Sequence, residues 1–326
     1  MDRRAFLSGL AATIVMAPLA AGAQQPGKVY RIGFLGVGSA AGYVNEVQAV
    51  RSGLRDLGYV EGKNIVIEYR WAEGKPDQLN DVAAELVGLK VDVIVTHALT
   101  GALAAKQATT TIPIVMADSA DPVAAGLVAS LARPGGNITG STSFQSEINA
   151  KRLELLKEVL PRLTRVAVLV NLHSPNTARN ARDTENVART MKVELHQFGV
   201  CGPEEFAGAF TAMARKRIDA LVVIEDPLLN SNAGAFASLA AKQRLPAVGF
   251  RNFAESGSPL AYGANRLELY RRAAYFVDRI LKGAKPGDLP IERASKFELI
   301  VNSKAAKNLG VKIPQSILIR ADQVIQ

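Results

Sequence analysis

The chain has 326 residues, of which 48% are hydrophobic, and a net charge of +9 at pH 7. Its positive charges are scattered, without any run of five like charges, whereas nucleic-acid binding usually needs a clustered basic face. Cys201 is the only cysteine, which excludes an internal disulfide. These features predict a globular protein that does not bind nucleic acid.

The first residues have the pattern of an export signal. Arg3 and Arg4 precede an apolar, uncharged stretch that ends in Ala-Gly-Ala at position 23. This pattern is typical of a signal peptide, and an arginine pair before Phe-Leu is typical of the twin-arginine variant, although ordinary signals also contain paired arginines. The stretch is short and interrupted for a membrane-spanning helix, which needs about 20 apolar residues. We predict a signal peptide over residues 1–23, cleaved near Ala23, and a periplasmic protein.

The remaining 303 residues exceed the size at which single cores stop growing, about 250–300 residues, so two lobes are expected. From Val29 onward, strands and helices alternate, and the strands are short, continuous apolar runs. Such runs are typical of parallel sheets that are covered on both faces by helices. In the first half, strands are predicted over 30–35, 65–70, 91–95 and 112–116, with helices around 47–57, 79–86, 103–108 and 123–131.

The same alternation begins again after an extended link around residues 137–144. Helices are predicted over 148–160, 178–191, 206–214 and 235–242, and strands over 166–170, 193–198, 220–224 and 247–249. The pattern predicts an α/β fold with two Rossmann-like lobes, whose parallel sheets face one another. A late helix (267–281) and a late strand (297–301) are too few for a third domain, so we expect a multi-strand hinge. We assign 28–142 with 263–290 to the first lobe, and 143–262 with 291–326 to the second.

Loops that follow the strands supply the candidate site, because ligands in open α/β sheets bind beyond the carboxyl ends of the strands. Hydroxyl groups and free backbone amides in these loops suit a carboxylate, and acidic groups suit an amine, so a zwitterion would satisfy both. Aromatic rings near strand ends suit an apolar part, although packing under a loop is the commoner fate of such a ring. The predicted ligand-binding residues are Ser39, Tyr43, Thr96, Ala98, Thr100, Asp118, Asp121, Asn171, Asp226, Phe250 and Tyr262.

Enzyme chemistry has little support in the sequence. The glycines at 33, 36 and 38 are spaced wrongly for a dinucleotide fingerprint, and there is no G-x-S-x-G motif. The three histidines are scattered and have no metal-ligand spacing, and only His97 lies in a candidate ligand loop. We therefore predict no catalytic residue, no metal and no cofactor. A secreted enzyme on the same lobes and a ligand sensor for a membrane receptor are the alternatives.

Several segments resemble a known family. Residues 59–74, 126–140 and 151–157 are similar to the ABC-transporter solute-binding proteins of the tryptophan/tyrosine-binding group, and the tail segments 296–302, 305–310 and 317–325 match as well. The resemblance covers essentially the whole mature chain. The family's Gly-Asp-Pro-Val segment is Ala-Asp-Pro-Val at residues 120–123, and its Tyr-Gly-Pro-Asn segment is Tyr-Gly-Ala-Asn at residues 262–265. The missing proline leaves the backbone at Ala264 less fixed.

The resemblance implies a type I periplasmic-binding fold, in which two lobes joined by three strands hold a ligand between them. It also implies a function: capture of a small carboxylate-bearing solute, such as an aromatic amino acid, without chemical change. The expected partners are the solute and an ABC permease with its ATPase subunits at the inner membrane, and the protein is expected to be a monomer.

Overall fold

The computed structural model describes residues 28–326, so the predicted signal peptide lies outside the described residues. The first part of the chain forms β1 (Tyr30–Gly36), α1 (Val44–Asp56), β2 (Ile65–Trp71), α2 (Pro76–Gly88), β3 (Val93–Thr96), α3 (Ala98–Ala108), β4 (Ile114–Ser119) and β5 (Ile138–Thr142). The next part forms α4 (Gln145–Val159), β6 (Arg165–Asn171), α5 (Thr177–Thr190), β7 (Glu194–Val200), α6 (Phe206–Arg215), β8 (Ala220–Val223), α7 (Pro227–Ser231), α8 (Ala233–Lys242), β9 (Ala247–Gly249), α9 (Arg251–Glu255) and β10 (Leu260–Ala264). The last part forms α10 (Arg266–Leu281), β11 (Glu292–Arg293), β12 (Phe297–Asn302), α11 (Ser303–Leu309), α12 (Gln315–Arg320) and β13 (Gln323–Ile325).

Two sheets organise the molecule into two lobes. The first sheet has the order β11-β5-β4-β3-β1-β2, and all of its neighbouring strands are parallel. The second has the order β13-β12-β10-β9-β8-β6-β7, in which only β10 and β12 pair antiparallel. The expected α/β architecture with two parallel-dominated sheets is confirmed.

Each sheet is buried on both faces. In the first lobe, α1 and α10 cover one face of the sheet, and α2 and α3 cover the other. Both faces of the sheet must therefore be apolar, and this is why β1 and β3 are continuous hydrophobic runs in the sequence. None of the helices between residues 28 and 326 is both long and apolar enough to cross a lipid bilayer.

The chain passes between the lobes three times, between β5 and α4, between β10 and α10, and between β11 and β12. Strand β11 pairs with β5 in the first sheet, whereas the sequence-based division begins the second-lobe segment at residue 291. The structural passages near residues 265 and 295 therefore lie two to four residues beyond the boundaries drawn from the sequence.

One predicted element is wrong. Residues 123–131 form successive turns and no helix. Gly126 has a φ of 69°, and the amide of Leu127 donates to the carbonyl of Pro122, so the chain closes a tight turn where a helix would continue. The apolar spacing there serves packing instead, since Leu127 and Val128 are buried.

Gly140 is required by the pairing of β4 with β5, where it lies opposite Met116. Its φ is 132°, and a side-chain carbon built on it would overlap the carbonyl oxygen of Met116. Because the overlap is with backbone, no side-chain rotation relieves it. A residue with a side chain therefore strains the first passage between the lobes.

We expect Gly140→Ala to lower the free energy of unfolding by about 3 kcal/mol, through backbone strain and overpacking. Urea denaturation measures this change. Gly88→Ala is the matched control, because Gly88 is the last residue of α2 and a side-chain carbon there meets no atom within 4 Å. A loss at Gly140 no larger than at Gly88 would contradict this account of the strand pairing.

Candidate ligand-binding site

A cavity lies between the lobes, at the carboxyl ends of β3 and β4 from the first lobe and of β6 and β8 from the second. The loops that follow these strands start helices, so polar groups and helix N-termini gather there. The lining residues are Tyr43, His97, Ala98, Leu99, Thr100, Asp118, Ser119, Ala120, Ser143, Gln145, Ser174, Pro175, Asn176, Asn180, Glu225, Asp226, Pro227, Arg266 and Tyr270.

The N-terminus of α3 forms one wall of this cavity. Its N-cap residue, His97, makes no side-chain capping bond, so amides of the first turn are free for another acceptor. Ala98 has a φ of 58°, in the left-handed region that alanine rarely adopts. The hydroxyl of Thr100 is buried and has no hydrogen-bond partner among the described residues. This wall offers several donors to an anionic group.

His97 is a neutral side chain beside that helix. Its Nε2 accepts a hydrogen bond of 3.1 Å from the amide of Val37, so the proton is assigned to Nδ1. Burial, assisted by the positive charge of Arg266, lowers the pKa of His97 well below its ordinary value. The His97 ring lies 4.3 Å from the Tyr43 ring, centroid to centroid. His97 therefore contributes an uncharged donor and an aromatic surface.

Asp118, near the end of β4, supplies an acidic group without a cationic partner among residues 28–326. Its carboxylate accepts a 2.7 Å hydrogen bond from the hydroxyl of Ser143. Burial raises the pKa of Asp118 to about 6, although Arg266 favours the ionised form. A partly buried carboxylate with so few partners is suited to an incoming ammonium group.

Below the cavity lies a chain of four largely buried charges, which we call the ionic floor: Arg152, Glu225, Arg266 and Glu46. Of these, Glu225 and Arg266 line the cavity. Glu225 lies 2.7 Å from Arg266 and 3.5 Å from Arg152, and Arg266 lies 3.6 Å from Glu46. Arg152 and Glu225 belong to the second lobe, Glu46 to the first, and Arg266 begins α10 just after a passage between the lobes. The ionic floor therefore joins the lobes and has no net charge.

Further contacts show that the lobes are closed on each other. Asp121 of the first lobe lies 2.8 Å from Arg179 of α5 in the second, at the partly exposed rim of the cavity. The hydroxyl of Ser231 in α7 lies 2.7 Å from where a side-chain carbon of Gly38 would be. Only a glycine at position 38 permits this approach.

The structure brings five of the predicted residues together on the cavity wall: Tyr43, Ala98, Thr100, Asp118 and Asp226. Asp226 is already engaged there, because its Oδ1 accepts from the side-chain amide of Asn171 and from the backbone amide of Leu228. Asn171 is thus placed behind Asp226 rather than on this wall.

The other five predicted residues are used elsewhere in the fold. Ser39 accepts from the amide of Gly42, and Thr96 donates to the carbonyl of Leu35. Asp121 pairs with Arg179. Phe250 packs in the core of the second lobe, and Tyr262 stacks on Phe297.

Several cavity residues were not predicted from the sequence. Arg266 and Tyr270 come from α10, which follows a passage between the lobes, and Asn176 and Asn180 come from the start of α5. Among residues 28–326, no group of three or more His, Cys, Asp or Glu side chains is arranged to hold a metal ion. The glycine at position 36 is explained by packing, because a side-chain carbon there would overlap the ring of Trp71.

Comparison with known proteins identifies the family. Residues 35–325 match the family model described as ABC transporter substrate binding protein. The chain belongs to this family. It is 30% identical over 260 residues to a tyrosine-binding protein of Clostridioides difficile (strain R20291), covering 79% of this chain and 74% of that protein.

Two solved structures of substrate-binding proteins add information about the closed state. An ABC domain from Streptococcus pneumoniae in complex with L-Trp is 27% identical and has a TM-score of 0.85. The ligand-free, open structure of a Clostridium difficile substrate-binding protein with adhesive properties is 26% identical, with a TM-score of 0.67. Both alignments cover 91% of this chain and 100% of the other. The lower score against the open structure agrees with the contacts that close the lobes here.

The buried His97 generates a prediction about stability and pH. Its folded-state pKa lies below the ordinary value of about 6.5, so below that pH the unfolded chain binds more protons. The free energy of unfolding, relative to that of His97→Gln, should fall by about 1.4 kcal/mol for each pH unit below 6.5. Urea denaturation at pH 7.5, 6.5 and 5.5 measures this difference.

The comparison with His97→Gln is needed because the raised pKa of Asp118 acts in the opposite direction: it stabilises the fold as the pH falls through about 6. His173→Gln, at an exposed position, is the control and should keep the wild-type pH dependence. An unchanged pH dependence in His97→Gln would show that this ring is not held neutral.

Proposed function

We propose that this protein is the extracytoplasmic solute-binding component of an ABC import system, and that it captures a small zwitterion, an aromatic amino acid or a related compound. The observation that carries the proposal is a partly buried carboxylate without a cationic partner among residues 28–326, Asp118, in the same closed cavity as an uncapped helix N-terminus. One group attracts a cation and the other an anion. The C. difficile relative named for tyrosine and the L-Trp complex support the aromatic class.

The carboxylate of the ligand is assigned to the first turn of α3. Free amides at a helix N-terminus and the positive end of the helix dipole both favour an anion there. Thr100 contributes its unpartnered hydroxyl, and Ala98 contributes backbone at its unusual φ. The neutral His97 adds a donor without adding a charge.

The ammonium group is assigned to Asp118, with Asp226 as a second acceptor from the opposite lobe. We assign the main contact with the ammonium group to Asp118, because Asp226 already accepts two hydrogen bonds from its own lobe. Tyr43 covers the head group with its ring. Phe250 and Tyr262 are left out of the proposed site, because both rings are packed elsewhere.

Substrate-binding proteins of this family are extracytoplasmic, which is consistent with an export signal over residues 1–23 and a periplasmic location. We propose that the mature chain acts as a monomer. It would deliver its solute unchanged to an ABC permease and its ATPase subunits at the inner membrane. The driving force for closure is the higher affinity of the ligand for the closed state than for the open one.

The first test compares three ligands by isothermal titration calorimetry: L-tryptophan, tryptamine, which lacks the carboxylate, and indole-3-propionate, which lacks the amine. We expect L-tryptophan to bind and both analogues to bind at least about 30-fold more weakly, because each leaves one buried charged or polar group without its partner. If all three bind equally, or none binds, the zwitterion proposal is wrong.

The second test concerns Asp118. Asp118→Asn should weaken L-tryptophan binding at least about 30-fold but leave the weak binding of indole-3-propionate unchanged, since that ligand has no ammonium group to lose. Asp226→Asn should cost less, because the amide oxygen can still accept from the backbone amide of Leu228. An equal loss for L-tryptophan and indole-3-propionate in Asp118→Asn would remove Asp118 from the amine site.

The third test uses pH. The pKa of Asp118 is raised to about 6, and the ammonium group needs the ionised form. The dissociation constant of L-tryptophan should therefore rise as the pH falls below 6, approaching tenfold per pH unit. Calorimetry between pH 7.5 and 5 measures this, and Asp118→Asn should lose the dependence. A wild-type affinity that stays constant down to pH 5 would contradict the assignment.

A further inference from the structure

A second cavity adjoins the ligand cavity on its outer side. This side chamber lies between α2 and α3 of the first lobe and the start of α7 in the second. Its apolar wall consists of Val37, Leu79, Leu103, Ala104, Pro227 and Leu228. On α3, Thr100, Leu103, Ala104 and Gln107 form one helical face that leads from the ligand cavity into the chamber.

The two cavities meet at shared residues. Thr100 from the first lobe and Asp226 and Pro227 from the second line both of them. The buried hydroxyl of Thr100 has no partner within the described chain, although it lies at this junction. A buried hydroxyl without a partner is unfavourable, so the junction is suited to a polar atom of a bound molecule. A molecule bound at the junction therefore contacts residues that line both cavities.

The volumes assign different parts of a ligand to the two cavities. The inner cavity has a volume of about 60 Å³ in the closed arrangement, and the side chamber has about 230 Å³. The side chamber is thus about four times larger, so we assign the compact charged head of a ligand to the inner cavity and its bulkier part to the chamber. In the inner cavity, the rings of Tyr43, His97 and Tyr270 already pack against one another.

We propose that the side chamber holds the apolar arm of the ligand, whose zwitterionic head lies in the inner cavity with its carboxylate near Thr100. This inference rests on the proposed function and adds to it the place in the closed protein where the apolar part of the ligand lies. The chamber keeps an opening to solvent beside Lys75 and Gln107, so its shape does not limit the arm to one aromatic ring.

The test is calorimetry of the mature chain with L-tryptophan and with L-alanine, which has the same head without the arm. Wild-type protein should bind L-tryptophan at least 100-fold more tightly than L-alanine, because the apolar chamber stays empty with the smaller ligand. Leu103→Gln makes the chamber wall polar and should weaken L-tryptophan binding at least tenfold, without changing the affinity for L-alanine.

Leu131→Gln is the matched control. Leu131 is half-buried against the same hydrophobic cluster as Leu103 but lies outside both cavities. It should keep the wild-type affinity for L-tryptophan, and thermal melts of both variants measure their stability. Gln107→Trp, at an exposed position on the chamber side of α3, narrows the chamber without disturbing the core and should also weaken L-tryptophan binding.

The outcomes separate the two proposals. If wild-type protein binds no amino acid, the proposed function fails. If it binds L-tryptophan but Leu103→Gln and Gln107→Trp both change the dissociation constant less than twofold, the arm lies elsewhere and the side-chamber inference is overturned, while the zwitterion proposal stands.

Discussion

The ionic floor is the constraint on which the site depends. Arg266 follows β10 of the second sheet and begins α10, a helix of the first lobe. Its side chain lies between Glu225 of one lobe and Glu46 of the other. Buried charges cost several kcal/mol each unless they are paired, and loss of one partner costs about 3–5 kcal/mol. These ion pairs therefore fix the position of one lobe relative to the other near a point where the chain crosses between them. They also neutralise the positive charge of Arg266 in the absence of ligand.

Because the ionic floor has no net charge, the charged groups of a ligand must be bound by other residues of the cavity. Arg266 is paired with carboxylates and is therefore not available to bind the anionic group of a ligand. The uncapped first turn of α3 is the anion site instead. Asp118 and Asp226 line the cavity without a cationic partner within the described residues, and Asp226 already accepts two hydrogen bonds from its own lobe. A zwitterion supplies both missing charges at once to two first-lobe groups, the first turn of α3 and Asp118, and Asp226 of the second lobe reaches the same cavity only when the lobes are closed. The rim pair between Asp121 and Arg179 adds a contact that also requires closure.

The sequence predicted the framework well, because its signals are local. Continuous apolar strands and amphipathic helices gave two parallel α/β sheets, and the rule that ligands bind beyond strand ends placed Ala98, Thr100, Asp118 and Asp226 on the cavity wall. The prediction failed where a local pattern served another purpose, as in the turns around Gly126. Arg266 and Glu46 could not be found in this way: they are 220 residues apart, and only the passage between the lobes brings them together. The position of an aromatic residue near a strand end also does not show whether its ring lines a cavity or packs in a core, as the ring of Phe250 does.

The central claim is that the lobes close around a zwitterionic aromatic ligand. Small-angle X-ray scattering of the mature chain, first stripped of bound ligand by unfolding and refolding, tests it most directly. The account predicts a smaller radius of gyration when saturating L-tyrosine or L-tryptophan is added, and a scattering curve that then matches the closed structure described here. The same radius with and without these ligands, in a chain that calorimetry shows to bind them, would contradict it.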